Sequence, residues 1–353
     1  MIPTEPIGSI PRPLALLETF TAFTEHRCSQ SAMDRAYDAA LRETIAELEA
    51  TGSPVITDGE QTKPSFATYP LDGLQNLGPD GLTITFADGH QRRLPRLTAG
   101  PFRYSTYADQ YLTAAQRYTR LPIKQAVISA SALSLLYPEE GIPGYPREAF
   151  LDDLIDEAEA DIRRCLDAGA HSVQIDFTEG RLSIKLDQSG QLLKRFIDLN
   201  NRVLSRFSPE QRTRIGVHTC PGGDHDSTHS ADVDYGSLLP HLFKLHVGRF
   251  YIQLASERER VRVLELIQKY AQPHHTIFVG VIDPLTPRVE LAAEVRERVL
   301  EAAAYIPPRQ LGTTDDCGFS SFGDDTSTTR EIAFAKIRAR LSGTAMAARQ
   351  LGA

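Results

Sequence analysis

Apolar, β-branched runs alternate with helical patterns along almost the whole chain, and this alternation constrains the fold more than any other feature. The strand-like runs are PIGSI from Pro6, PVITDGE from Pro54, KQAVISAS from Lys124 and HSVQIDF from His171. RIGVHTC from Arg214, RFYIQLA from Arg249, HTIFVGVID from His275 and RQLGTTDDC from Arg309 follow. Helical stretches separate most of them, with apolar residues three and four apart. They begin at Met33, Ala149, Leu192, Glu257 and Val289, and a last one follows Thr326. Strands alternating with helices imply parallel pairing through helical crossovers. Eight strand candidates predict an α/β fold of the (β/α)8 TIM-barrel type, whose usual ~250 residues leave room here for insertions. The 353 residues are read as one such domain, 1–353. One insertion is visible after the second strand, at about 69–107. Within it GLTITFADGHQRRLPRL alternates and turns at Asp88-Gly89, which predicts a β-hairpin. An open doubly wound sheet is the other candidate, but no Gly-x-Gly-x-x-Gly follows the first strand.

Composition excludes several classes of partner. The net charge is −8 and no Lys/Arg-rich run occurs, so neither nucleic acid nor an anionic membrane is expected as a partner. No stretch is apolar enough to span a bilayer, and the first residues do not read as a signal peptide. Four cysteines in so long a chain form no disulfide framework and fit a reducing cytoplasm. The oligomeric state is not legible.

In a barrel, the residues just after each strand line one mouth, where active sites lie. Those positions hold Gly8 and Ser9, Asp58 and Glu60, Ser129 and Ser131, Asp176, His218 and Cys220, Gln253, Asp283, and Asp316 and Cys317. Singly, such residues are ordinary caps and loop polarity; their recurrence at one end of nearly every strand points to a site. His218 and Cys220, two apart at a strand end, point the same way. With the distant Cys317 they offer one imidazole and two thiolates, a donor set that suits Zn2+. The following loop, with Gly222, Gly223, Asp224, His225, Asp226 and His229, reads as hydrated. Asp324 and Asp325 read as preceding the cap of the last helix, with Ser327 or a nearby threonine as the cap. His274 and His275 precede a strand and fall at the opposite end of the barrel. Cys165 sits in an amphipathic helix, and Cys28 in a polar stretch.

These residues give the chain a resemblance to the catalytic C-terminal half of cobalamin-independent methionine synthase. The resemblance rests on "IGS" at Ile7–Ser9, "DGE" at Asp58–Glu60, "QID" at Gln174–Asp176, "HTC" at His218–Cys220 and "DDCG" at Asp315–Gly318, in order along nearly the whole chain. It implies a (β/α)8 barrel that moves a methyl or alkyl group to a thiol, homocysteine first; the family's donor is a folate, and a methylated corrinoid, a simpler methylated compound or an epoxide stay open as donors here. By resemblance, His218, Cys220 and Cys317 ligate zinc. Ile7, Gly8, Ser9, Glu60 and Asp176 then bind homocysteine, and Glu179 matches a folate-contacting glutamate. Three positions depart from the family. Its fourth ligand, a glutamate, falls on Gln253. Its proton-donating histidine falls near Asp283. Its folate-stacking tryptophan has no counterpart, because the chain has no Trp.

The implied chemistry is attack of a zinc-activated thiolate on an alkyl carbon, with small-molecule thiol and methyl donor as partners. Other readings stay open at this point. A zinc hydrolase would use water at an open metal position, with Asp283 or Glu60 as base. A metal-free decarboxylase of the uroporphyrinogen type would want clustered arginines. A zinc-binding protein without catalysis is the third.

Overall fold

The computed structural model describes residues 1–353. Lys124–Ile128, Ser172–Asp176, Ile215–Thr219, Arg249–Ile252, Thr276–Ile282 and Leu311–Asp315 form one parallel sheet, paired in chain order. Two further segments join it through single parallel bridges, Thr4 to Thr313 and Ile56 to Ile123. These two meet each other: Thr57 Oγ1 donates to Gly8 O at 2.8 Å, and Ile10 N–H donates to Gly59 O at 3.0 Å. Eight segments therefore follow one another around a ring, as the alternation predicts. The first two are bridges rather than strands for a local reason. Pro3, Pro6 and Pro54 bring no N–H to a ladder, and Gly59 and Glu60 adopt left-handed φ of +66° and +54°.

Side chains alternate across the strand walls. Val173, Ile175, Ile215 and Val217 join the large outer core beneath the helices, whereas Gln174 and His218 between them do not. Gln30–Ala50, Arg147–Asp167, Gln191–Leu204, Arg260–Tyr270, Ala292–Ala303 and Arg330–Leu351 pack outside. Thr329 caps the last of these, accepting from Ile332 N–H. Helices that periodicity did not predict also form, among them Leu14–Thr24 and Glu179–Leu186. The insertion is a hairpin, Thr83–Thr85 against Gln91–Arg93, continued by Leu77–Gly78 against Arg96–Leu97. No helix is long and apolar enough to cross a membrane.

The barrel interior is small and partly polar. Tyr251 stacks on Phe278 with ring centres 4.7 Å apart, beside Ile7. Nearer the strand starts lies buried Glu5. Burial opposes its charge, but His171 at 3.5 Å, Lys124 at 4.0 Å, Arg249 at 2.7 Å and the Tyr251 hydroxyl at 2.6 Å outweigh it and hold its carboxyl at about 2. A carboxyl so depressed stabilises the fold fully above its unfolded pKa, and that contribution disappears as pH falls toward 2. It amounts to roughly 3 kcal/mol at neutral pH. Glu5→Gln should therefore be less stable than wild type in urea at pH 6, with the difference shrinking by pH 3. An equal difference at both pH values would mean that Glu5 contributes through packing and not through charge.

Candidate active site and metal centre

The strand ends surround a cavity of about 410 Å³. His218 and Cys317 line it, and with Cys220 their ligand atoms all lie within 4.8 Å of one another, all three residues being buried. The two sulfurs are 3.3 Å apart, too far for a disulfide, and all four cysteines are free thiols. Cys317 is pushed well below the ordinary thiol range, first by its hydrogen bond with Cys220 and then by His218. Both ring nitrogens of His218 are buried without a partner. A buried imidazole in that state is costly unless something binds it. One nitrogen and two sulfurs converging in a dry pocket form a donor set that fits zinc.

Gln253 is held away from this group by other partners. Its Oε1 accepts from Arg181 Nη1 at 3.1 Å and from the Tyr235 hydroxyl at 3.4 Å, while its Nε2 donates to Ser256 Oγ at 2.5 Å. Arg181 is itself fixed: it pairs with Glu257 at 2.6 Å, donates to the carbonyls of Ala231 and Val233, and lies over the Tyr235 ring. These partners occupy both the oxygen and the nitrogen of the Gln253 amide, the side chain expected as a fourth ligand. Gln253→Ala should bind as much zinc per chain as wild type. A loss of metal by elemental analysis would restore Gln253 as a ligand.

Carboxyls gather on the cavity wall beside the metal group. The left-handed turn at Gly59-Glu60 carries Glu60 into the lining, a conformation that costs ~1–3 kcal/mol for a residue with a side chain and is characteristic of functional sites. Burial lifts Glu60 to about 7, against the attraction of Lys63 at 3.6 Å. Lys63 stays charged, because the nearby carboxylates outweigh its burial. Its Nζ donates to Ala126 O at 3.0 Å and sits 5.0 Å from the centre of the Tyr69 ring. Asp176 is also raised by burial, and its Oδ1 accepts from Gln174 Nε2 at 2.7 Å. Glu179 Oε1 takes both the Ser129 and Ser131 hydroxyls, while Oε2 is buried with no partner. Ser9 Oγ is bound by Ser320 N–H at 3.1 Å, which fixes the Ile7–Ser9 turn against the Cys317 loop. The cavity wall also carries apolar side chains, among them Phe20, Phe66, Phe86, Leu182 and Phe322.

Two loop readings need correction. Asp224 and His229 are buried, not hydrated. Asp224 accepts from Arg92 at 2.5 Å and pairs with His90 at 3.0 Å, both on the insertion hairpin. His229 packs edge-on against Phe86, and Gly222 is required beside it because any Cβ there would overlap its Nε2. Asp324 and Asp325 do not serve the last helix: Asp324 pairs with Arg92 at 2.8 Å, and Asp325 binds Ser327 and His225 N–H. The hairpin is thus tied to both loops that carry the cysteines. Arg92, Lys63 and Arg181 were not picked out from the sequence, where nothing local marks them. Asp283 is not among the cavity-lining residues. Its Oδ1 accepts from Leu285 N–H at 3.0 Å, and its backbone N–H and carbonyl bind Glu290 and Lys336. The role of catalytic base expected for it is not supported.

Comparison with known proteins places this geometry. The family model described as "Cobalamin-independent synthase, Catalytic domain" matches residues 2–338. A protein of Sulfolobus acidocaldarius named methionine synthase is 24% identical over 353 residues, covering 99% of this chain and 94% of its own. A Syntrophotalea carbinolica protein named 5-methyltetrahydropteroyltriglutamate–homocysteine methyltransferase is 22% identical, covering 91% of this chain and 40% of its own. In fold, the chain is similar to a B12-independent methionine synthase from Shewanella sp. W3-18-1, with a TM-score of 0.78 and 18% identity over 99% of both chains.

Proposed function

The chain belongs to the cobalamin-independent methionine synthase catalytic-domain family, and from that premise we propose that it is a methyltransferase that methylates the thiol of homocysteine. The observation that carries this reading is the convergence of His218, Cys220 and Cys317, two of which line a cavity whose wall also holds Glu60 and Asp176. His218, Cys220 and Cys317 would hold zinc, which when bound makes a thiol reactive as its thiolate at neutral pH. The other residues bind and orient. Glu60 and Asp176 are placed to take the ammonium of an amino acid. The Ile7-Gly8-Ser9 turn, pinned by Thr57 at Gly8 O and by Ser320 at Ser9, offers backbone groups to its carboxylate. Phe66, Phe86 and Phe322 supply ring faces for a flat donor such as a methylated folate, in place of a tryptophan, and keep water from the transfer. The whole chain is proposed as one barrel domain, with the hairpin as its insertion, working in the reducing cytoplasm that its free thiols suit.

With Asp283 outside the cavity wall, the hydrolase reading keeps only Glu60 as a base, and Glu60 is paired with Lys63 at 3.6 Å. The decarboxylase reading wants clustered arginines free for substrate, and of those in the cavity wall Arg12 is bound to the Glu60 and Lys63 carbonyls, Arg92 to Asp224 and Asp324, and Arg93 to Thr83. The test is direct: purified protein, without a His-tag, is assayed for zinc and for methionine formed from homocysteine and 5-methyltetrahydropteroyl polyglutamate. About one zinc per chain with methionine formed is expected. A zinc-loaded protein that forms no methionine with any methyl donor would overturn the reading.

A further inference from the structure

We propose that Glu179 is the general acid of the reaction, delivering a proton from Oε2 to the leaving nitrogen of the methyl donor. This rests on the methyl-transfer reading and goes beyond it. The resemblance puts a proton-donating histidine near Asp283, and that part of this chain lies outside the cavity. An amine leaves poorly as its anion, so transfer from an N-methyl donor still requires an acid.

The ionisable side chains along the cavity decide which group can serve. His218 and Cys317 belong to the metal group. Burial pushes His229 down to about 4, so it is neutral at pH 7 and holds no spare proton. Glu60 is tied to Lys63, and one oxygen of Asp176 to Gln174. Glu179 differs in geometry. Asn200 Nδ2 donates to Ser131 Oγ at 2.7 Å, so the Ser131 proton is free to point at Glu179, and Ser129 donates to the same oxygen. With Oε1 accepting twice, a proton on the carboxyl belongs on Oε2, which is buried and unpartnered. Glu179 lines the same cavity as Asp176 and the apolar Leu135 and Leu182.

The surroundings keep that proton in place. Burial raises Glu179 to about 7, with Asp176 on the preceding strand adding to the rise. The two serine hydroxyls and the helix start at Glu179 work against it and do not prevail. Arg181, two residues along, is neutralised by Glu257, and Lys63 by Glu60. The step balances. The thiolate sulfur forms a bond to the methyl carbon, and the carbon–nitrogen bond breaks with its electron pair on nitrogen. The Oε2 proton then moves to that nitrogen. The carboxylate left behind recovers its proton from the next thiol as it ionises in the site.

Single-turnover rates at saturating donor, compared between two donors and followed across pH, separate this role from a contact that only binds the folate donor. An N-methyl donor, 5-methyltetrahydropteroyl polyglutamate, needs a proton; a sulfonium donor, trimethylsulfonium, releases a neutral thioether and needs none. In Glu179→Gln the N-methyl rate should fall by about 100-fold or more. The sulfonium rate and the KM for homocysteine should stay at wild-type values. The wild-type N-methyl rate should decline as pH rises through about 7, and the variant should lose that limb. Equal losses with both donors, or no loss with either, would overturn the proposal and leave methyl transfer standing. So would a wild type that methylates homocysteine only from the sulfonium. A wild type that uses neither donor would bring down the methyl-transfer reading itself.

Discussion

Cys317→Ala is expected to lose zinc and, with it, at least roughly a hundredfold in methyl transfer. Partners one layer outside a metal's ligands are commonly worth 10–100-fold, and removing a ligand should cost more. Cys317 is the sensitive position because it is the member brought from farthest along the chain. It enters from the last strand, 97 residues beyond Cys220, yet its sulfur lies 3.3 Å from that of Cys220. Without it, one imidazole and one thiolate remain, too few to keep a tetrahedral ion against a chelator. The thiol acceptor then reverts to a pKa of about 8.5 and is mostly protonated at neutral pH. The measurements are zinc per chain after dialysis against a weak chelator, and the sulfur-to-metal absorption of the cobalt form. Circular dichroism guards against simple unfolding. A variant that keeps its zinc, its cobalt spectrum and its rate would remove Cys317 from the metal group, and with it the basis of the proposed mechanism.

What the sequence disclosed follows the range of the interactions concerned. The alternation of runs is a local signal, and it located all eight ring positions. The rule that barrel strand ends line one mouth then brought His218, Cys220 and Cys317 into view without any contact being known. The same rule failed at Asp283, because a short-range turn ties its carboxylate to Leu285 N–H and its backbone to Glu290 and Lys336. Burial of Asp224 was illegible because its partners, His90 and Arg92, stand more than 130 residues earlier on a hairpin whose docking no periodicity describes. The fate of Gln253 was hidden in the same way, since an arginine 72 residues away claims its carbonyl. Leu14–Thr24 went unread because its apolar residues form no one-sided stripe: Leu14 and Phe20 are exposed while Leu16 is buried. Phe20, Leu16 and Leu17 of this helix line the cavity, so a local failure of pattern coincides with a site.

The largest effect on stability is expected from Asp316, which precedes Cys317 and is fully occupied in binding another strand end. Its Oδ1 accepts from Leu254 and Ala255 N–H, both at 2.8 Å, and its Oδ2 from Ser256 N–H and Oγ–H, both at 2.7 Å. One carboxylate thus joins the end of the last strand to the loop that follows Gln253. Asp316→Ala strands the buried N–H groups of Leu254 and Ala255, whereas exposed Ser256 can turn to water. At about 1–3 kcal/mol for each buried orphan, the loss should be about 4 kcal/mol. For a chain of this length that is a drop in Tm of roughly 5 °C, at ~2.1 cal/mol/K per residue. Asp316→Asn keeps the oxygen facing Leu254 and Ala255 but sets an NH2 against Ser256 N–H, and should cost about half as much. Melting metal-free protein separates this contribution from zinc binding, which both variants should also weaken by loosening the Cys317 loop. If metal-free Asp316→Ala melts with wild type, the four hydrogen bonds are not what holds these strand ends together. If it melts lower but binds zinc as tightly, the brace supports the fold and not the placement of Cys317.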